Sequence, residues 1–189
     1  KKYESLDNIK GLKVRIGGGI AQNSSKALGL VPLQAPVTKA YELLSGGVAD
    51  GIQLPSESIS FFKLDRIIKQ GFIFDGGLYN VSMFLVMNKK KWNKLSQDDQ
   101  KAINSVSGEA LAKMAGKAWD KADDKGFDAS LKNGIILKKL SEDDKIIVTQ
   151  LLTPIIENTL EKISKQKNID AKNIYLKLLN EINLLKKEY

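Results

Sequence analysis

Histidine and cysteine are both missing from this 189-residue chain, which rules out thiolate nucleophiles, redox pairs, Ser-His triads and structural zinc sites. Chemistry is left to carboxylates, lysine, serine, tyrosine and arginine. Thirty residues are basic, and all are lysine except Arg15 and Arg66. Arg15 stands near the end of a strand-like run, Leu12 to Ile16, and is followed by Gly17-Gly18-Gly19. A guanidinium is a rigid fork that takes a carboxylate through two parallel hydrogen bonds, a geometry lysine does not match. The glycines let the backbone approach a ligand closely, although a tight turn accounts for them equally well. Arg66, in a charged helical stretch, reads as a surface residue. The glycine run lacks the spacing of a nucleotide fingerprint, and no paired carboxylates stand out. An enzyme working through a carboxylate or lysine base is therefore the weaker reading. No cofactor or metal is expected.

The elements that must position these residues alternate between β-like and helical segments, which is the order of βαβ units and an α/β fold. Leu12 to Ile16 reads as a strand, Gln22 to Leu28 as a helix capped by Gly29, and Val31 to Ala35 as a second strand. Thr38 is placed to N-cap a helix through Leu44, which Gly46-Gly47 stops before a third strand over Ala49 to Leu54. Ser56 to Lys69 reads as one amphipathic helix or two short ones. Gly71 to Asp75 and Tyr79 to Met87 are the most β-prone segments, the latter long enough for one continuous strand. Ser96, with Asp98 and Asp99, starts a helix whose pattern runs unbroken through Ala122, a length suited to crossing between two lobes or supporting one end to end. Ile135 to Leu140 is a further strand. Ser141 opens a helix in which Pro154 favours a bend, and Ala171 to Lys187 forms the last helix.

The net charge is +8. Lysine runs at Lys89-Lys90-Lys91, Lys138-Lys139 and Lys186-Lys187 read as solvated element ends. The basic residues are interleaved with 22 acidic ones and no nucleic-acid motif accompanies them, so nucleic acid is not an expected partner. No run approaches the roughly 20 apolar residues of a membrane helix, so direct membrane insertion is not expected either.

Several of these segments, in order, resemble the second domain of the solute-binding proteins of TRAP (tripartite ATP-independent periplasmic) transporters, the dicarboxylate-binding, DctP-like family. Asp7-Asn8-Ile9-Lys10-Gly11-Leu12-Lys13-Val14-Arg15-Ile16 is similar to the opening of that domain. Ala27-Leu28-Gly29 with Pro32, Ala40-Tyr41-Glu42-Leu43-Leu44, and Gly47-Val48-Ala49-Asp50-Gly51 follow in the family's order. Phe84 to Trp92 with Leu95-Ser96 resembles its strand-to-helix junction, and Glu109 to Gly126 its long helix.

The resemblance implies a periplasmic binding protein-like lobe (class II type) with a mixed sheet, one very long helix and C-terminal helices. Residues 1–133 would be the second, ligand-closing lobe with its inter-lobe helix, and residues 134–189 a strand plus helices packing on the lobes. A first lobe and a signal peptide would lie upstream. It also implies a periplasmic protein that captures a small carboxylate and passes it to the membrane subunits of a TRAP transporter. An extracytoplasmic sensor lobe is the alternative.

By the same resemblance Arg15 is the carboxylate clamp, and Gly18 lies in the turn beside it. The family's GqeNP segment reads Gly51-Ile52-Gln53-Leu54-Pro55 here. Leu54 replaces the asparagine that often helps bind the carboxylate, making the pocket more apolar, with Gln53 or a neighbouring backbone group as the substitute. Val37 stands where many members carry an aromatic residue, leaving room for a different ligand. Glu57, Tyr79 and Ser82 are further ligand candidates near the hinge. Each has an ordinary structural role as well: a first-turn carboxylate, a packed aromatic and a small strand residue.

Overall fold

The computed structural model describes residues 3–74 and 76–188, the last three by backbone only. Asp75, the expected end of one strand, and the side chains of Lys186 and Lys187 lie outside the described residues. Strand β1 (Lys13–Ile16) is the centre of a three-stranded sheet, with α1 (Ile20–Ala27) leading to β2 (Val31–Gln34) on one side and β3 (Gly51–Ile52) on the other. Both pairings are parallel, in register Lys13 with Val31 and Arg15 with Ile52. A second parallel pair joins β4 (Gln70–Ile73) to β5 (Ile136–Lys139). All pairings among the described residues are thus parallel: β1 and β2 are joined by a short βαβ crossover, and β4 and β5 by a long connection that carries helices.

Period-two alternation sorts the first sheet into two faces. Val14 and Ile16 of β1 join Ala21, Leu28 and Leu30 in one core, beneath α1. Ile52, beside Arg15, faces the other core, where Leu54 and Val37 pack against Ala40, Ile59, Leu64 and Ile135. That core is built from α2 (Ala40–Ser45), α3 (Glu57–Phe61) and a 3-10 turn at Leu64–Arg66. The span from Ser56 to Lys69 is therefore two short helical pieces.

The remaining helices are α4 (Lys89–Trp92), α5 (Gln97–Ser105), α6 (Glu109–Lys132), α7 (Glu142–Lys167) and α8 (Ala171–Glu188). Ser96 caps α5 by accepting from the Asp99 backbone N–H at 3.1 Å, as its sequence signature predicts. The long helix that results is α6, of 24 residues. It does not begin at Ser96, because Gly108 at φ 59° separates it from α5. That backbone conformation suits glycine and interrupts the helical ladder. Pro154 lies inside α7. Its first-turn acids Glu142, Asp143 and Asp144 follow the Ser141 cap, whose side chain accepts from the Asp144 N–H at 3.1 Å.

Three further expectations are corrected. Thr38 does not cap a helix, since Val37–Lys39 is a 3-10 turn and Lys39 holds the N-cap position without a side-chain bond. The third strand shrinks to Gly51–Ile52, its pairing ended by the turn into Pro55. Tyr79 to Met87 is not a strand. A strand exists only against a hydrogen-bonding partner, and none of the described strands lies beside it. Its apolar side chains are left in solvent, with Phe84 82% and Leu85 83% exposed.

Candidate carboxylate site

Arg15 is the only charged residue in the buried part of the described chain, at 6% exposure. Its Nε and Nη2 both donate to the Ala35 carbonyl, at 2.8 and 2.6 Å. Ala35 is held there by its own N–H, which donates to the Ile16 carbonyl at 3.2 Å and keeps the exit of β2 against β1. Pro36 then turns the chain away. No carboxylate lies within ion-pair distance of Arg15 among the described residues. Burial draws its guanidinium below the ordinary arginine range, and the field of Tyr79 partly offsets this. A guanidinium nevertheless remains charged in water-accessible proteins. A buried cation anchored through one edge and lacking a counter-ion leaves its Nη1 side as a site for an anion.

Tyr79 and Glu57 sit within electrostatic reach of this arginine or of each other. Partial burial pushes the Tyr79 phenol up, the Arg15 charge opposes that shift and the Glu57 charge adds to it. Glu57 opens α3 at the carboxyl edge of β3, the same edge from which Gly17-Gly18-Gly19 leaves β1. Ligands of parallel α/β sheets bind at such edges. The Glu57 Oε1 accepts from the Ser58 hydroxyl at 2.8 Å, whereas Oε2 is buried without a hydrogen-bond partner.

The start of α3 is fixed by a residue that sequence reasoning missed. Asp123 of α6 accepts from the Ser56 hydroxyl at 2.6 Å and from the Glu57 N–H at 3.3 Å, capping α3 from another element. Beside it, a Cβ on Gly126 would stand 2.4 Å from the Ser56 carbonyl oxygen, so only glycine lets α6 come this close. Glycine within an otherwise regular helix was the available signal.

The other expected site residues divide. Gly18 adopts φ +106°, which favours glycine in the turn beside Arg15; a Cβ there would also lie 2.7 Å from Nε2 of the exposed Gln34, whose side chain is free to swing aside. Leu54 and Val37 are half-buried against the α3 core, adjoining the arginine's face of the sheet. Gln53 is directed to the opposite face: its Nε2 donates to Ser25 Oγ at 2.9 Å, and Ser25 donates onward to the Ala21 carbonyl at 2.7 Å. Its Nε2 is thereby committed to α1, while its Oε1 is buried without a hydrogen-bond partner. Pro55 is exposed at the turn into α3, and Ser82 is exposed on the extended segment, outside the cluster.

Fold and site together define a parallel α/β unit with a buried arginine, free of any described carboxylate, at its sheet edge. The chain belongs to family 7 of the bacterial extracellular solute-binding proteins, whose DctP model matches residues 1–163. The resemblance to TRAP solute-binding proteins is thereby met. A relative named outer membrane transporter protein TsaT, from Comamonas testosteroni, is 30% identical over 171 residues, 86% of this chain and 48% of its own length. A TRAP periplasmic solute-binding protein from Bordetella bronchiseptica, solved with (R)- and (S)-mandelate, is 34% identical with a TM-score of 0.85. That match covers 97% of this chain and 58% of that one. A marine metagenome TRAP solute-binding protein specific for aromatic acid ligands, solved with 3-hydroxybenzoate, is 28% identical with a TM-score of 0.77. It covers 91% of this chain and 54% of that one. The chain thus spans about half the length of the relatives it matches. Among the described residues no helix is long and apolar enough to cross a membrane.

Proposed function

We propose that this chain is the ligand-closing lobe of a periplasmic solute-binding protein that captures a small organic acid and delivers it to the membrane subunits of a TRAP transporter. The observation that carries the reading is Arg15, a buried guanidinium without a counter-ion, tethered by the Ala35 carbonyl at the carboxyl edge of a parallel sheet. An incoming carboxylate supplies the missing charge and accepts from the remaining N–H groups. Carboxylates bound by the Bordetella and metagenome proteins support this ligand class, with aromatic monocarboxylates first to be tried.

A single lobe leaves the acid open to water on one side. Apolar side chains exposed along residues 81–87, and at Ile174, Leu176 and Leu178 of α8, fit a surface that a second lobe covers. Residues 80–88 would then gain a pairing partner in that lobe, and α6 would brace the two. Closure over the acid removes it from water and strengthens the arginine contact, so the closed form is favoured by ligand and is the state presented to the transporter.

The test is calorimetry of the full-length protein with aromatic and aliphatic monocarboxylates, dicarboxylates and keto acids, each beside its carboxamide. Tight binding of an acid and loss of binding by its amide supports the reading. An amide that binds as tightly as its acid contradicts it.

A further inference from the structure

We infer that Glu57 and Ser60 form a hydroxyl-reading half of the site, so that the acid held by Arg15 carries a hydroxyl group that donates to Glu57 and accepts from Ser60. This rests on the carboxylate-binding reading of Arg15. Glu57 and Ser60 lie three residues apart on α3 and so share a helical face. Glu57 Oε2 and Ser60 Oγ are both buried without a hydrogen-bond partner, and with Gln53 Oε1 they are the only such side-chain atoms among the described residues. Buried polar atoms are nearly always paired, so two orphans on one short helix at the ligand edge point to a partner from outside the chain.

The pair also specifies that partner's chemistry. Ser58 occupies Glu57 Oε1, leaving Oε2 to accept. The Ser60 hydroxyl is able to donate. A ligand hydroxyl does both at once, whereas an ammonium cannot accept from Ser60. A second carboxylate cannot donate to Glu57 and would face its negative charge, in a site where Arg15 already serves the first carboxylate. Asp123 fixes the start of α3 through Ser56 and the Glu57 N–H, so the acceptor is held in place before the ligand arrives. Arg15 pairs with Ile52 of β3, and α3 begins five residues further on, so both halves lie at the carboxyl edge of the same sheet.

The experiment is calorimetry of the full-length protein and its Glu57→Ala, Glu57→Gln and Ser60→Ala variants. The probes are three pairs of acids differing by one hydroxyl: mandelate with phenylacetate, 3-hydroxybenzoate with benzoate, and lactate with propionate. Phenylglycine and phenylsuccinate supply the ammonium and second-carboxylate arms. In at least one pair the hydroxy acid binds about 10- to 100-fold tighter than its partner, the range of one hydrogen bond to a charged acceptor. Glu57→Ala brings that ratio close to unity and Ser60→Ala lowers it part of the way. Glu57→Gln, which keeps an acceptor and the shape of the side chain, retains most of it.

A wild-type ratio near unity in every pair, a ratio unmoved by both Glu57→Gln and Ser60→Ala together with Glu57→Ala, or preference for phenylglycine or phenylsuccinate overturns the hydroxyl assignment and leaves Arg15 as a carboxylate clamp. Failure of every carboxylate in the panel to bind overturns the underlying reading instead.

Discussion

Gly126 of α6 rides so closely on the Ser56 carbonyl that an added Cβ would stand 2.4 Å from its oxygen. The atoms in the way are backbone, so relief requires shifting one element against another. Gly126→Ala is expected to destabilise the protein by about 1–3 kcal/mol, the usual range for overpacking, despite alanine's better helix propensity. Chemical denaturation measures this, and a stability equal to or above wild type would mean that α6 and α3 are not in this contact. Since α3 carries Glu57, ligand affinity should fall with the same substitution.

Asp123 adds to that joint electrostatically. Its carboxylate caps α3 from a position 66 residues away in sequence, through the Glu57 N–H. Asp123→Ala removes the acceptor for both Ser56 and Glu57 and should lower stability by about 0.5–2 kcal/mol, as for other lost N-caps. Urea unfolding of this variant beside Asp123→Asn separates the cap from the charge: the asparagine variant should retain most of the stability.

Gly18 tests the turn beside the arginine. Alanine there meets both a positive φ and Gln34, so Gly18→Ala should cost about 1–3 kcal/mol. Adding Gln34→Ala relieves only the contact at 2.7 Å and leaves the backbone strain. The double variant is accordingly expected to recover little of the loss, and full recovery in thermal unfolding would show that conformation contributes nothing.

The Tyr79 phenol supplies a pH prediction. Burial raises it above the ordinary tyrosine value of 10.0 in the folded state, so the folded protein holds this proton more tightly than the unfolded chain does. The associated stability is fully present below the unfolded value and is lost as pH rises through the folded one. Stability should thus fall above about pH 10. In Tyr79→Phe that fall should be shallower, and ultraviolet titration should show one late-ionising tyrosine missing. A stability profile identical to wild type, with the missing tyrosine ionising like the others, would place Tyr79 in solvent.

What was legible in the sequence was mostly local. Leu12 to Ile16 alternates and ends in glycines, Gly29 stops α1, and Ser96 and Ser141 cap their helices, because each signal needs only neighbours in the chain. Gly108 was equally local but was outweighed by the helix-favouring residues around it. Other features depend on partners distant in sequence. Residues 79–87 have strand composition, yet a strand forms only when another segment bonds to it. The Asp123 cap and the Gly126 contact arise where α6 meets α3, which no spacing within either helix encodes. Within the site, Arg15 was visible as one of two arginines among many lysines. Its Ala35 tether was not, since a carbonyl has no residue signature. Gln53 and Leu54 are adjacent, and period-two alternation sends them to opposite faces, which is why Gln53 bonds Ser25 of α1 while Leu54 packs against the α3 core.

In the proposed function Arg15 holds the acid through its guanidinium fork. The most direct measurement is the calorimetric affinity of the full-length protein for its tightest acid, compared with Arg15→Ala and Arg15→Lys, with thermal unfolding of each variant confirming a folded lobe. Arg15→Lys keeps the charge but loses the fork and the paired hydrogen bonds to the Ala35 carbonyl, so affinity should fall about 10- to 100-fold. Arg15→Ala should weaken binding further, by 100-fold or more at the upper end of losses from truncating a buried charge partner. A folded Arg15→Ala protein that binds the acid as tightly as wild type would contradict the account.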